Sequence, residues 1–141
     1  MKVYTVGHST KTMDEFLEIL AKYRIKLVID VRRFPQSKKF PHFNKENLQK
    51  VLETQGITYV NLPELGGFRR GGYKSFTQTE GFKKGLKKLL GLIIPETTVV
   101  MCTERFFWRC HRRFIAEELV KLGYEVIHIL DGKTYKHKLK S

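Results

Sequence analysis

Residues 26–31 read KLVIDV, and the way this run is buried decides the fold. Leu27, Val28, Ile29 and Val31 come without the polar alternation of a half-solvated strand. An unbroken, β-branched apolar run is buried on both faces, as in a parallel sheet covered by helices. Its neighbours have the same character. KVYTV (2–6), ITYV (57–60), TTVVM (97–101) and YEVIHI (124–129) read as further strands, and helical patterns separate them.

The first of these patterns opens at TMDE (12–15), where Thr12 and Glu15 form a capping box ahead of Phe16, Leu17, Leu20 and Tyr23. A second helix covers 43–56, capped by Asn44, with Phe43 stapled onto Leu48 and Gly56 as the stop. LGGFRRGGYKSF (65–76) reads as a glycine-rich loop. TQTE (77–80) gives another capping box, followed by Phe82, Leu86, Leu89 and Ile93 on one face and the pairs Lys83/Lys87 and Lys84/Lys88 on the other. A helix over 108–122 turns Ile115, Leu119 and Leu122 inward and ends at Gly123. Regular alternation of strand and helix predicts one α/β domain, a mostly parallel sheet with helices on both faces, over residues 1–131. Residues 132–141 form a basic tail expected to fray.

A chain of 141 residues can bury a substantial core in one domain. Its 27 Lys and Arg against 14 Asp and Glu leave a net charge of +13, a field that attracts polyanions. No apolar run reaches the length of a membrane span, no helix pairs a basic face with exposed aromatics, and MKVYTVGH turns polar too early for a secretory signal. The expected partner is therefore nucleic acid, not membrane, and the expected location is the cytoplasm. Two cysteines make no disulfide framework.

In such sheets ligands bind beyond the carboxyl ends of the strands. Gly7, His8 and Ser9 follow the first strand, Asp30 and Arg32 end the second, and Cys102 and Glu104 follow the fourth. MCTERFFWRCHRR (101–113) continues that edge with three large aromatics and four arginines. Polar residues from separate strands thus converge on one rim.

The motifs YTVGHST, IDVRRFP, FN, LPELGG and CTE…WRCHR, in this order, together resemble the domain-of-unknown-function 488 family, from Tyr4 to about Ile129. The resemblance implies a compact α/β domain. Archaeal members that this chain resembles imply removal of oxidised or deaminated pyrimidines from DNA.

The residues permit that chemistry. Breaking an N-glycosidic bond builds cationic character on the sugar, which a carboxylate can stabilise or which an activated water can capture. Glu104 and Asp30 are the candidate acids; each is equally a partner for an arginine (Arg112 and Arg32), and Glu104 is preferred because arginines directly follow Asp30. Gly7, His8, Ser9, Cys102 and His111 are candidates for holding the base. The Gly7–Ser9 turn offers free N–H groups and a hydroxyl, and His111 could polarise a base carbonyl or hold Glu104. RRFPQSKKFPHF (32–43) interleaves cations and rings, so Arg32, Arg33, Phe34, Lys38, Lys39 and Phe40, with Arg69, Arg70, Phe106, Phe107, Trp108, Arg109 and Arg112, are candidates for contacting DNA. Chemistry on a duplex base requires flipping it into a pocket, which suits aromatic and basic loops around polar groups.

Two alternatives stay open: a module that binds nucleic acid without cleaving it, and a cysteine-dependent small-molecule enzyme. Cys110, at the start of a helix beside Arg109 and Arg112, has surroundings that favour a thiolate. CTERFFWR lacks the glycine-rich loop of cysteine phosphatases. Cys102, Cys110 and His111 lack the paired spacing of a zinc site, so neither metal nor cofactor is implied.

Overall fold

The 27–30 run is the second strand of a six-stranded sheet in the order β3-β2-β4-β1-β5-β6, in a computed structural model that describes residues 1–139. The strands are β1 (Lys2–Gly7), β2 (Leu27–Asp30), β3 (Thr58–Asn61), β4 (Thr98–Cys102), β5 (Glu125–Leu130) and β6 (Lys133–Lys136). The first five are parallel and β6 pairs antiparallel to β5. Five α-helices accompany them among the described residues: α1 (Met13–Lys22), α2 (Lys45–Thr54), α3 (Tyr73–Phe76), α4 (Glu80–Leu92) and α5 (Arg112–Lys121). None is long and apolar enough to cross a membrane.

The sheet separates two cores. On one face Phe16 and Leu20 of α1 and Leu48 and Leu52 of α2 pack on Val6, Val28, Tyr59, Val99 and Met101. On the other, Phe82 and Leu89 of α4 and Ile115, Ala116 and Leu119 of α5 pack on Val3, Leu27, Ile29, Val100 and Val126. Consecutive residues of each central strand therefore enter opposite cores, which is why β2 and β4 are buried at every position and polar only at one end of each, at Asp30 and Thr98.

Local signals hold where the cap is self-contained and shift where it is not. Thr12 accepts from the Glu15 N–H, and the Glu15 carboxylate takes the Thr12 N–H, which completes the first capping box. Phe43 and Leu48 share a core as the staple requires. Asn44 precedes α2, but its side chain accepts instead from the Ser37 N–H at 2.6 Å and so ties down the 32–43 loop. The expected TQTE box does not form. Thr77 ends α3, a helix within the expected loop, and Thr79 caps α4 by accepting from the Phe82 N–H. The last helix begins at Arg112, not 108, after a 3₁₀ turn at Phe107–Arg109, and Leu122 is 55 % exposed instead of inward.

The tail is the main correction. Residues 133–136 do not fray but add the edge strand β6, and His137 beyond it is buried. The rest of the tail assigned by sequence includes residues 140–141, which lie outside the described residues.

A polar chain runs through this end of the molecule. Arg112 Nη1 donates to Thr5 Oγ1 at 3.1 Å. The Thr5 hydroxyl also meets His128 Nδ1, 2.5 Å away, and the direction of the chain is set from its other end, where the Glu117 carboxylate only accepts. His128 Nε2 then donates to His137 Nδ1 at 2.8 Å, and His137 Nε2 to Glu117 at 2.9 Å. The Phe107 ring lies flat on His128, centroids 3.7 Å apart. Burial foremost, then His137 and Arg112, hold His128 neutral by lowering its pKa to about 3.

Candidate active site

The topology opens a crevice between β2 and β4. From β2 the chain leaves toward β3 at one edge, and from β4 it leaves across β1 toward β5. Open α/β sheets bind ligands at such reversals. A cleft of about 730 Å³ lies there, lined from the segments 32–34, 67–73, 102–104 and 108–114.

Glycines set these loops against one another. A Cβ on Gly7 would sit 1.7 Å from the Glu104 carbonyl oxygen, so the Glu104 loop crosses the end of β1 in direct backbone contact. A Cβ on Gly66 would meet the Arg33 backbone at 2.4 Å, and one on Gly67 would stand 3.2 Å from His111 Nδ1. His8 and Ser9 donate their N–H groups to the Cys102 and Thr103 carbonyls, both at 2.9 Å. The expected free N–H donors of this turn are thus engaged in holding the loop that carries Glu104.

Asp30 does not face the cleft. It is 0 % exposed, and its carboxylate receives Arg32 Nε at 2.9 Å, Arg32 Nη2 at 2.7 Å and the Tyr59 hydroxyl. Burial and the neighbouring carboxylate both push the Tyr59 hydroxyl pKa well up. Arg32 also donates to the Phe43 carbonyl and to His8 Nε2. The Asp30–Arg32 pair therefore braces the exit of β2, and Arg32, though its edge reaches the cleft, has its guanidinium committed within the protein. His8 is buried, stacked on Phe43 at 4.4 Å, with Nδ1 donating to the Ser9 carbonyl. Burial first, then Arg32, lower its pKa to about 4. It has no ring nitrogen left for a base.

Arg112 is likewise internal. It is 1 % exposed and donates to Thr5 and to the backbone carbonyls of Glu104 and Arg105, not to the Glu104 carboxylate. Phe107 lies against His128 and His137. Phe40 packs on the α1/α2 core, and Lys38, Lys39 and Arg70 are exposed outside the cleft lining. Phe106 stacks on Trp108 at 4.8 Å as its support.

The residues that do meet are Arg33, Phe34, Arg69, Cys102, Glu104, Trp108, Arg109 and His111. The sequence reading missed Phe68, Tyr73, Arg113 and Phe114 as lining residues. Phe68 is 87 % and Phe34 63 % exposed, 6.5 Å apart, with Arg33 bonded to the Phe68 carbonyl. Trp108 is 47 % exposed. Arg69 folds back onto the Pro63, Glu64 and Gly66 carbonyls and so shapes the glycine-rich loop. Tyr73 is anchored on the Leu65 carbonyl and stacks on Phe114, with His111 5.1 Å away. Arg113 and Phe114 had a signal in hindsight. Once the helix starts at 112, they fall in its first turn, beside the strand tips.

Glu104 is half-buried, and its carboxylate accepts from the Phe106 N–H at 3.2 Å. It is the one acid among the lining residues. Behind it both thiols are free, with Cys110 Sγ 2.7 Å from Cys102 Sγ. Cys110 also receives the Arg112 N–H at 3.4 Å and lies 3.5 Å from His111 Nδ1. His111 Nε2 must donate to the Val31 carbonyl, 2.9 Å away, which leaves Nδ1 for the thiol. Burial pushes both thiols up; in Cys110 the hydrogen bonds of Cys102 and His111 and the nearby charges overcome it and bring the pKa down, while Cys102 stays well above the ordinary range.

A family model described as domain of unknown function DUF488 matches residues 12–119, well over half of the chain. No curated protein and no solved structure matches.

Proposed function

We propose, for a chain that belongs to the DUF488 family, that the cleft receives a nucleobase flipped out of DNA and that Glu104 serves hydrolysis of the N-glycosidic bond of a damaged pyrimidine. The observation that carries this reading is a single carboxylate inside an aromatic-walled cleft whose other charged groups are arginines. A volume of about 730 Å³ suits one nucleoside with its flanking phosphates. Phe34, Phe68 and Trp108 are exposed rings on which a base can stack or which can fill the gap it leaves. Arg33, Arg109 and Arg113 supply positive charge for the phosphates on either side.

In the reaction the C1′–N1 bond breaks, its electron pair leaves with the base, and cationic character grows on the sugar. Glu104 stabilises that charge and takes the proton of the attacking water. Thr103, on the same loop, lines the cleft and offers its hydroxyl to the base or the water. His111 contributes shape but not a free donor, since Nε2 is bonded to Val31.

The test is a panel of duplexes carrying one uracil, one oxidised pyrimidine or one oxidised purine, scored for abasic sites. A pyrimidine lesion is expected to be released, and Glu104→Gln to lower the single-turnover rate about 10²–10⁴-fold with DNA affinity retained. Intact lesions at stoichiometric protein refute catalysis; tight DNA binding in that case assigns the cleft to a binding module.

A further inference from the structure

We propose that Cys102 and Cys110 form a redox-active dithiol on the floor of the cleft, with Cys110 as the attacking and Cys102 as the resolving sulfur, and that its substrate is an organic hydroperoxide. The glycosidic reading does not use these residues, and this proposal does not use Glu104.

The geometry is specific. The two sulfurs are 2.7 Å apart, whereas a disulfide needs about 2.05 Å, so bond formation requires little movement. They lie eight residues apart in sequence and come from different elements, Cys102 from the last position of β4 and Cys110 from the turn before α5. Both residues are buried and line the cleft, Cys102 at 1 % and Cys110 at 7 % exposure. The groups facing Cys110 are Cys102 from β4, His111 and the Arg112 N–H from the start of α5, and Tyr73 from α3. The Arg112 N–H donates to the Cys110 sulfur, the Cys102 sulfur lies in hydrogen-bond contact with it, and His111 Nδ1 stands 3.5 Å away to receive its proton. These are the features of a low-pKa nucleophilic cysteine backed by a resolving thiol. The aromatic walls provide an apolar seat for the organic part of the hydroperoxide, and Arg109 and Arg113 provide donors for its oxygens.

The steps balance. The Cys110 proton passes to His111 Nδ1, and the thiolate attacks the terminal peroxide oxygen. An S–O bond forms, the O–O bond breaks, and the departing alkoxide takes the proton back from His111 to leave as an alcohol. Cys110 is oxidised by two electrons to a sulfenic acid. The Cys102 sulfur then attacks Cys110, the S–S bond forms, and hydroxide leaves with the Cys102 proton as water. An external dithiol reductant returns both thiols and becomes a disulfide.

The experiment uses the full chain, reduced, desalted and treated with one equivalent of cumene hydroperoxide or hydrogen peroxide. Trp108, the single tryptophan, reports the cleft by fluorescence, and mass spectrometry counts thiols. The parent is expected to lose two hydrogens within one chain and to regain them with dithiothreitol. Cys102→Ser should stop at a sulfenic acid that dimedone traps, Cys110→Ser should stay reduced, and His111→Gln should slow oxidation about 10²-fold. Limited alkylation of the unmutated protein should label Cys110 before Cys102, a readout independent of how the variants fold. Faster reaction with cumene hydroperoxide than with hydrogen peroxide supports the organic substrate. Equal rates, oxidation of Cys110→Ser at the parental rate, or a disulfide only between chains overturns the proposal.

Discussion

Replacing His128 by Gln should leave a protein whose stability depends less on pH, and the size of the change follows from the buried chain. Gln can accept from Thr5 and donate to His137, so the polar path stays continuous. It loses the stack on Phe107, a cost of about 1 kcal/mol at pH 7. What it removes is a titration. An unfolded histidine has a pKa of 6.5, whereas folded His128 holds at about 3. Below pH 6.5 the unfolded chain therefore binds a proton that the folded chain does not, and stability falls as pH falls. From pH 7 to pH 5 this difference amounts to about 2 kcal/mol for one histidine. Urea unfolding of parent and variant at half-unit steps over that range measures it as a difference, so contributions shared by both proteins, from His8 and Cys110 above all, cancel. The difference should shift by about 2 kcal/mol in the variant's favour, so that the variant, about 1 kcal/mol less stable at pH 7, is about 1 kcal/mol more stable at pH 5. Parallel curves would refute the reasoning, because His128 would then take its proton in the folded state.

Gly7→Ala should destabilise the protein by about 1–3 kcal/mol in denaturant and displace the Glu104 loop, since the added methyl meets a backbone carbonyl that has no side chain to move aside. Asp30→Asn leaves Arg32 buried without its counter-charge, and a loss of about 3–5 kcal/mol is expected; an unchanged melting temperature would contradict the bracing role. Arg109→Ala and Arg113→Ala should each weaken DNA binding uniformly across sequences and flatten its salt dependence by about one counterion in fluorescence anisotropy titrations. Arg112→Lys, by contrast, should reduce stability more than the salt slope, because its guanidinium is internal.

The fold was legible because β2 and β4 advertise double-sided burial and the α1 cap is written within four residues. β6 was not. All four of its residues are exposed and two are lysines, so KTYK carries no apolar pattern, and only pairing with β5 defines it as a strand. The strand-end rule found Glu104, Cys102 and His111, which do meet. It could not separate Arg32 and Arg112 from Arg109, since all three read as basic residues at the same rim, and it left Arg113 out. The difference lies in partners supplied from elsewhere, Asp30 and Phe43 for Arg32, and Thr5 and the Glu104 carbonyl for Arg112. The dithiol was hidden for a similar reason: the turn at 107–109 folds eight residues back on themselves, and no spacing rule encodes that.

The polar path from His137 through His128 and Thr5 to Arg112 ends on the carbonyl of Glu104. A ribosome makes residues 133–137 after every residue of the cleft. Until they are made, the bonds of His8, Ser9 and Arg112 can already hold the acid's loop, but His128 Nε2 has no partner. A chain cut short before β6 would thus leave a buried imidazole without its second hydrogen bond, at the far end of a path that touches the loop carrying Glu104.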